Sequence, residues 1–317
     1  MFAARCVGVS LAVFILLYVP LSLAVSRGWN LIRRWFRPRS ARSSADLLFI
    51  LRVLPLALSS LVTLGFTLPS FLLLEPRSTN EAIGSAPLAL GFCCLILIGV
   101  GLARAWMAQL RASRALVKWL DGSMLMESQV TESGEAVPIF RTGNDAPTLT
   151  VAGVCAPKVL VSDAAVAMLN PAELRTALGH EIAHALRFDN LKKLVFRFSV
   201  FPAMAGLEHA WSEETEMAAD DAAVSSFPDA LDLAAALIKV SRLGAIQSGE
   251  LTMALLHSST ALRARVQRLV AWKKERKPQT HRSWLYVLPA AAAVVVVVAT
   301  YGSVLNQMHA VTEWLVR

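Results

Sequence analysis

A chain of 317 residues that is 55% hydrophobic, with a mean hydropathy of +0.52, is too apolar for an ordinary water-soluble protein. Its formal charge of +8 does not mark a nucleic-acid binder. The excess gathers beside apolar runs, where it sets membrane orientation and attracts anionic headgroups. Four cysteines, Cys6, Cys93, Cys94 and Cys155, have no CxxC spacing, which argues against a disulfide framework or a cysteine zinc site.

The first element in chain order is Val7 to Val25, a charge-free run long enough to cross a bilayer as a helix. Arg5 is a slight charged start and Leu23-Ala24-Val25 a poor cleavage context, so the run reads as a retained span and not a signal peptide. Val53 to Leu74 and Ala86 to Ala103 are the second and third spans, closing a membrane region over 1–103. Trp284 to Leu305 is the fourth, in a terminal region over 284–317.

Basic residues set the orientation. Arg27, Arg33, Arg34, Arg37, Arg39 and Arg42 follow the first span; Arg104, Arg111, Arg114 and Lys118 follow the third. Lys273, Lys274, Arg276, Lys277 and Arg282 precede the fourth, whereas the loop between the second and third carries Glu75, Glu81 and only Arg77. Four spans with both termini outside put every basic cluster on the cytoplasmic side, together with residues 104–283.

Ala105 to Leu120 continues the third span inward as a helix and breaks at Asp121-Gly122. Val137 to Arg141, Thr148 to Ala152 and Lys158 to Ser162 are short β-branched runs, expected to form a small antiparallel sheet. Ser162-Asp163 opens a helical stretch to Leu169. Another helix follows, with Asn170 as N-cap, Pro171 at its first position, Glu173 completing a capping box, and Leu174, Leu178, Ile182 and Ala185 as its apolar stripe. Leu191 to Leu207 carries Lys192, Lys193 and Arg197, so it reads as amphipathic or interfacial. Helices are expected over about Ser212 to Ser225, with Ser212 as N-cap, Pro228 to Leu243, and Ala261 to Lys274.

The capped helix carries His180-Glu181-Ile182-Ala183-His184, the HExxH pattern of zinc peptidases. Residues four apart share a helix face, so both imidazoles can reach one metal ion. Glu181 then stands where it can take a proton from a metal-activated water. Two histidines need a third ligand, and the downstream donors are Glu208, His209, Glu213, Glu214, Glu216, Asp220 and Asp221. Glu213 and Glu214 suit a helix's first turn. Glu216 and Asp220 share a face beside the small Ala218 and Ala219, so Glu216 is favoured as ligand and Asp220 as acceptor for a ligand imidazole N–H. His209 is the alternative ligand.

HEIAH followed by Glu216-Met217-Ala218-Ala219-Asp220 resembles the HExxH…ExxAD pattern of membrane gluzincins. With three spans before, one after, and Ala152 to Leu160 just upstream, nearly the whole chain is similar to the BlaR/MecR-type antirepressor metallopeptidases. That resemblance implies an α-helical, four-span membrane protein with a cytoplasmic, mainly helical α+β gluzincin metallopeptidase domain containing a small β-sheet. It implies one zinc ion per chain on His180, His184 and Glu216, with Glu181 as base and Asp220 behind the ligands. Asp189, five after His184, matches an acid often found there; capping the metal helix or pairing with Lys192 or Lys193 also explains it.

The chain departs from that group in having only about a dozen residues after Leu305, with no room for a penicillin-binding sensor and no Ser-x-x-Lys motif beyond the span. The heat-shock and CAAX-processing membrane proteases share the core pattern. Their His-Pro…Arg segment resembles His257-Ser258-Ser259 followed by Arg263 and Arg265, where a cation could stabilise an oxyanion. The simpler expectation is that both arginines are lipid-facing or solvated.

The expected function is thus an integral-membrane zinc endopeptidase of the inner membrane, cutting a cytoplasmic or membrane-proximal protein in regulated proteolysis or signalling. Its expected partners are the bilayer and a protein substrate such as a transcriptional repressor or other regulator, with a separate sensor protein as a further candidate. The sheet near Thr148 to Val161 offers an edge to which an extended substrate can add. The alternatives are a heat-shock-type quality-control protease and a non-catalytic transmembrane signalling or scaffold protein.

Overall fold

The computed structural model describes residues 2–32, 40–76, 84–130, 136–143, 146–248, 253–273 and 299–314. Helix α1 (Phe2–Ile32) packs against α2 (Ala41–Val62), and α2 runs through a π-helical turn (Thr63–Thr67) into α3 (Leu68–Leu74). Pro69 accounts for the turn: it lacks the N–H that would bond the Gly65 carbonyl one turn back. Tyr301 Oη, on a helix over 299–314, donates to that carbonyl at 2.9 Å. Helix α4 (Ser85–Leu120) packs along α1 and passes position 104 without a break.

Phe2–Leu31, Ala41–Leu74 and Ser85–Leu120 are long and apolar enough to cross a membrane, and suggest a membrane protein. Each extends past its expected span. Most of the expected fourth span, Trp284 to Leu305, lies outside the described residues. So do Arg33, Arg34, Arg37, Arg39, Arg77, Glu81, Lys274, Arg276, Lys277 and Arg282, and the 283/284 domain boundary.

The sheet holds β1 (Met124–Val130), β2 (Ala136–Thr142), β3 (Leu149–Ala152) and β4 (Lys158–Ser162), in the order β1-β2-β4-β3. It is mixed, which corrects the antiparallel expectation: β4 runs parallel to β2, with Ile139 opposite Val159. The β3–β4 hairpin folds back so that β4, buried from Val159 to Ser162, takes the centre and β3 the edge. Gly153 makes this reversal at φ 93°, with no room for a side chain against the Ala156 carbonyl.

Helix α5 (Asp163–Met168), capped by Ser162, leads to α6 (Pro171–Leu186). The expected capping box is present: Asn170 Oδ1 accepts from the Ala172 and Glu173 N–H groups, and Glu173 Oε2 accepts from the Asn170 N–H. Leu178, Ile182 and Ala185 of α6 meet Val137, Ile139, Val159 and Val161 of the sheet, so one face of α6 is core and the other is free for chemistry.

Helix α7 (Asp189–Phe198) is followed by a short 3-10 turn (Pro202–Met204) and α8 (Ala205–Ala223). Ser212 therefore lies inside α8 and does not cap it. Leu207 and Trp211 explain the longer helix, since both are buried with Ala45 and Leu48 of α2 and Phe196 of α7. In the same contact Arg52 of α2, 2% exposed, bonds Glu208 and Ser199. Helices α9 (Phe227–Ser248) and α10 (Met253–Val270) close the domain, packing through Leu233 and Leu269.

Candidate metal centre

Helix α6 presents His180 and His184 on the face away from the sheet, and α8 brings Glu216 and Asp220 across from it. The approach is close because Ala218 and Ala219 are small and buried, and Gly179 lies against Ala223. His180 Nε2 and His184 Nε2 are 3.2 Å apart; Glu216 Oε2 lies 3.5 Å from the first and Glu216 Oε1 3.6 Å from the second. A tetrahedral ion with bonds of about 2.0–2.1 Å requires donors roughly 3.4 Å apart. The two histidine nitrogens stand at about that spacing and a Glu216 oxygen faces each of them, so the residues fit a shared zinc ion; they are one of two groups among the described residues with donor atoms close enough to share one.

The outer nitrogens are also held. His184 Nδ1 lies 2.8 Å from Asp189 Oδ2, and His180 Nδ1 lies 3.0 Å from Asp220 Oδ1, off the line of a well-formed hydrogen bond. The Asp189 carboxylate fixes the His184 tautomer and leaves its Nε2 toward the shared centre, while Asp220 stands behind the His180 ring. Asp189 is 1% exposed and Asp220 fully buried. Asp189 also stands near Arg187 and Lys192, both at 3.7 Å, so the charge pairing expected of it coexists with the contact to His184.

Arg265 of α10 completes the cluster. Its Nε and Nη2 bond both Asp220 oxygens at 2.8 and 2.6 Å, and its Nη1 bonds Glu216 Oε2 at 2.8 Å. The expectation of a lipid-facing or solvated charge is thus wrong for Arg265 and holds only in that Arg263 is exposed. The two carboxylates stand 45 and 49 residues away along the chain. The cue in the sequence was the weak His…Arg segment.

The electrostatics follow from this crowding. Burial works against a charged His180, but the Asp220 and Glu216 carboxylates, aided by Glu181, overcome it and raise its pKa to about 9. Burial likewise opposes ionised Glu216, yet His180, His184 and Arg265 hold it down at about 2. Asp220 is lowered despite burial, chiefly by Arg265 and His180. The site is therefore built to hold anionic oxygens against a cation, and Glu181, half-buried one residue past His180, is placed at its edge.

His209 is not brought to the triad: it is exposed and pairs with Glu213 at 3.4 Å. Glu208 is taken by Arg52 and Asp221 by Arg268. A cleft of about 670 Å³ adjoins Glu216 and Arg265, walled by Met217, Leu237, Val240 and Leu262, with His209 and Glu213 at its open side. The second close donor group, Glu75, His309 and Glu313, lies at the far end of the membrane helices, where Arg5 pairs with Glu75 at 2.9 Å.

The edge of β3 is partly closed. Thr148 accepts from the Ser162 N–H, so Thr150 and Ala152 face β4 while Val151 and Gly153 turn outward. Asn190 Nδ2 donates to both of those carbonyls, at 3.0 and 3.1 Å, leaving only the part before Val151 for an added strand.

No curated protein gives a significant match to the chain. Residues 151–283, which contain α6, Glu216, Asp220 and Arg265, match the model of Peptidase family M48, whose members are generally zinc-dependent, and this match supports a metallopeptidase.

Proposed function

We propose that the protein is an integral-membrane zinc endopeptidase whose site faces the cytoplasm and cuts a cytoplasmic or membrane-proximal protein. The observation that carries this reading is the convergence of His180, His184 and Glu216 within reach of one ion, with Asp189 and Asp220 behind the rings. A bound zinc ion would supply Lewis acidity to the scissile carbonyl and the attacking water. Glu181 takes the proton from that water and returns it to the leaving amine. Arg265 holds Glu216 and Asp220 in place, and the adjoining apolar cleft receives a side chain flanking the scissile bond.

Sidedness rests on the basic residues Arg42, Arg104, Arg111 and Arg114, which stand at the domain's end of the helices. Cleavage of one regulator, in the antirepressor manner, is the favoured use. Breadth of cleavage separates it from quality control. The decisive experiment compares wild type with Glu181→Gln in detergent, measuring bound zinc and cleavage of an unstructured protein. Zinc in both with cleavage in the wild type alone is expected; equal cleavage by the variant would overturn the assignment of Glu181.

A further inference from the structure

Where α4 leaves its apolar span, a groove opens between it, α7 and the β3 edge. Its first part is a trough lined by Leu102, Trp106 and Leu194. Gln109 belongs to this trough and also to a cavity of about 310 Å³ further along α4, which Lys193 and Arg197 line. That volume is in the range of small-molecule sites, about 300–1,000 Å³.

The two ends differ in chemistry. Leu102 and Trp106 are 56% and 66% exposed and stand where a spanning α4 would leave the acyl region for the headgroups. Lys193 and Arg197 are one turn apart on α7, exposed, and among the described residues have no carboxylate partner. Neighbouring Lys192, by contrast, pairs with Asp46 and Asp189. Two like charges one turn apart repel unless an anion sits between them.

We propose that this groove holds one anionic phospholipid, its acyl chain along Leu102, Trp106 and Leu194 and its phosphate between Lys193 and Arg197. The lipid ties α7, and hence the domain, to the bilayer surface. The proposal rests on the membrane-spanning reading of α4 and is independent of peptidase activity.

The full chain is purified in mixed micelles holding equal phosphatidylglycerol and phosphatidylcholine, and retained lipid is counted by native mass spectrometry. Wild type is expected to keep phosphatidylglycerol preferentially. The Lys193→Gln/Arg197→Gln double variant should lose that preference by roughly thirtyfold, two charge interactions with the headgroup being removed, while Arg114→Gln keeps it. A photoactivatable phosphatidylglycerol on wild type should label residues 102–112 and 193–197, a result that needs no variant to fold. An undiminished preference in the double variant, or labelling confined to other segments, would overturn the groove. Failure of the wild type to enter vesicles at all would overturn the membrane reading beneath it.

Discussion

Arg265 Nη1 bonds one oxygen of Glu216, while the other oxygen of that carboxylate faces His184. The guanidinium thus orients the proposed ligand Glu216, while its Nε and Nη2 neutralise the buried Asp220 and Nη2 also lies 3.5 Å from His180 Nε2. Removing it strands a fully buried carboxylate. Arg265→Met is expected to lower stability by about 3 kcal/mol and to reduce both zinc retention and cleavage. Thermal unfolding with and without added zinc checks this. Arg265→Lys should recover charge balance but not the forked geometry, and so rescue stability more than activity.

On the proposed reading, Asp189 would act on a bound metal ion through His184, whose Nδ1 it contacts. Without its negative charge 2.8 Å from Nδ1, the ring loses basicity and is oriented less firmly. Asp189→Asn should keep the fold and weaken zinc binding by roughly 10–100-fold. Competition with a chromogenic chelator reads that change directly. An affinity equal to wild type would reduce Asp189 to a partner of Lys192 and Arg187.

What could be read in advance was local. The cap at Asn170, the stripe from Leu174 to Ala185, and the pairing of His180 with His184 and of Glu216 with Asp220 all follow from helical periodicity within a few residues. The strand order was not legible, because β2 meets β4 across a hairpin and a side-chain period of two is the same for parallel and antiparallel neighbours. Ser212 has cap chemistry, but the burial of Leu207 and Trp211 against α2 decides where α8 starts. Arg265 looked like any surface arginine on an amphipathic helix. Only the packing of α10 beside α8 turns it toward two carboxylates.

The capping box should give the metal helix an acid-sensitive footing. Burial pushes the Glu173 carboxyl up, but the Lys239 ammonium and the Asn170 N–H outweigh it and hold it below the ordinary value. A group whose folded pKa is depressed contributes stability above its unfolded pKa, about 4.3, and loses it as pH falls through the lower folded value. Glu173→Gln is therefore expected to lower the melting temperature at pH 7, with the gap to wild type closing below pH 4. A gap that persists unchanged at pH 3 would count against ionisation as its source.

Helices α4 and α7 approach closely at Gly101, where an added Cβ would run into the Phe198 carbonyl at the end of α7. Phe198 lies just before Ser199, which Arg52 holds from α2, so the α7 terminus is clamped between α2 and α4. Backbone cannot give way as a side-chain tip can, so Gly101→Ala must push α7 off α4. Overpacking of this kind costs about 1–3 kcal/mol. Because α7 starts at Asp189, its displacement should also loosen the carboxylate behind His184. The expected result is a lower melting temperature together with weaker zinc retention, whereas Gly99→Ala, with open space around its Cβ, should change neither. Thermal melts and metal analysis on the two variants in the same detergent test it: equal behaviour would mean that α4 does not brace the helix on which the site depends.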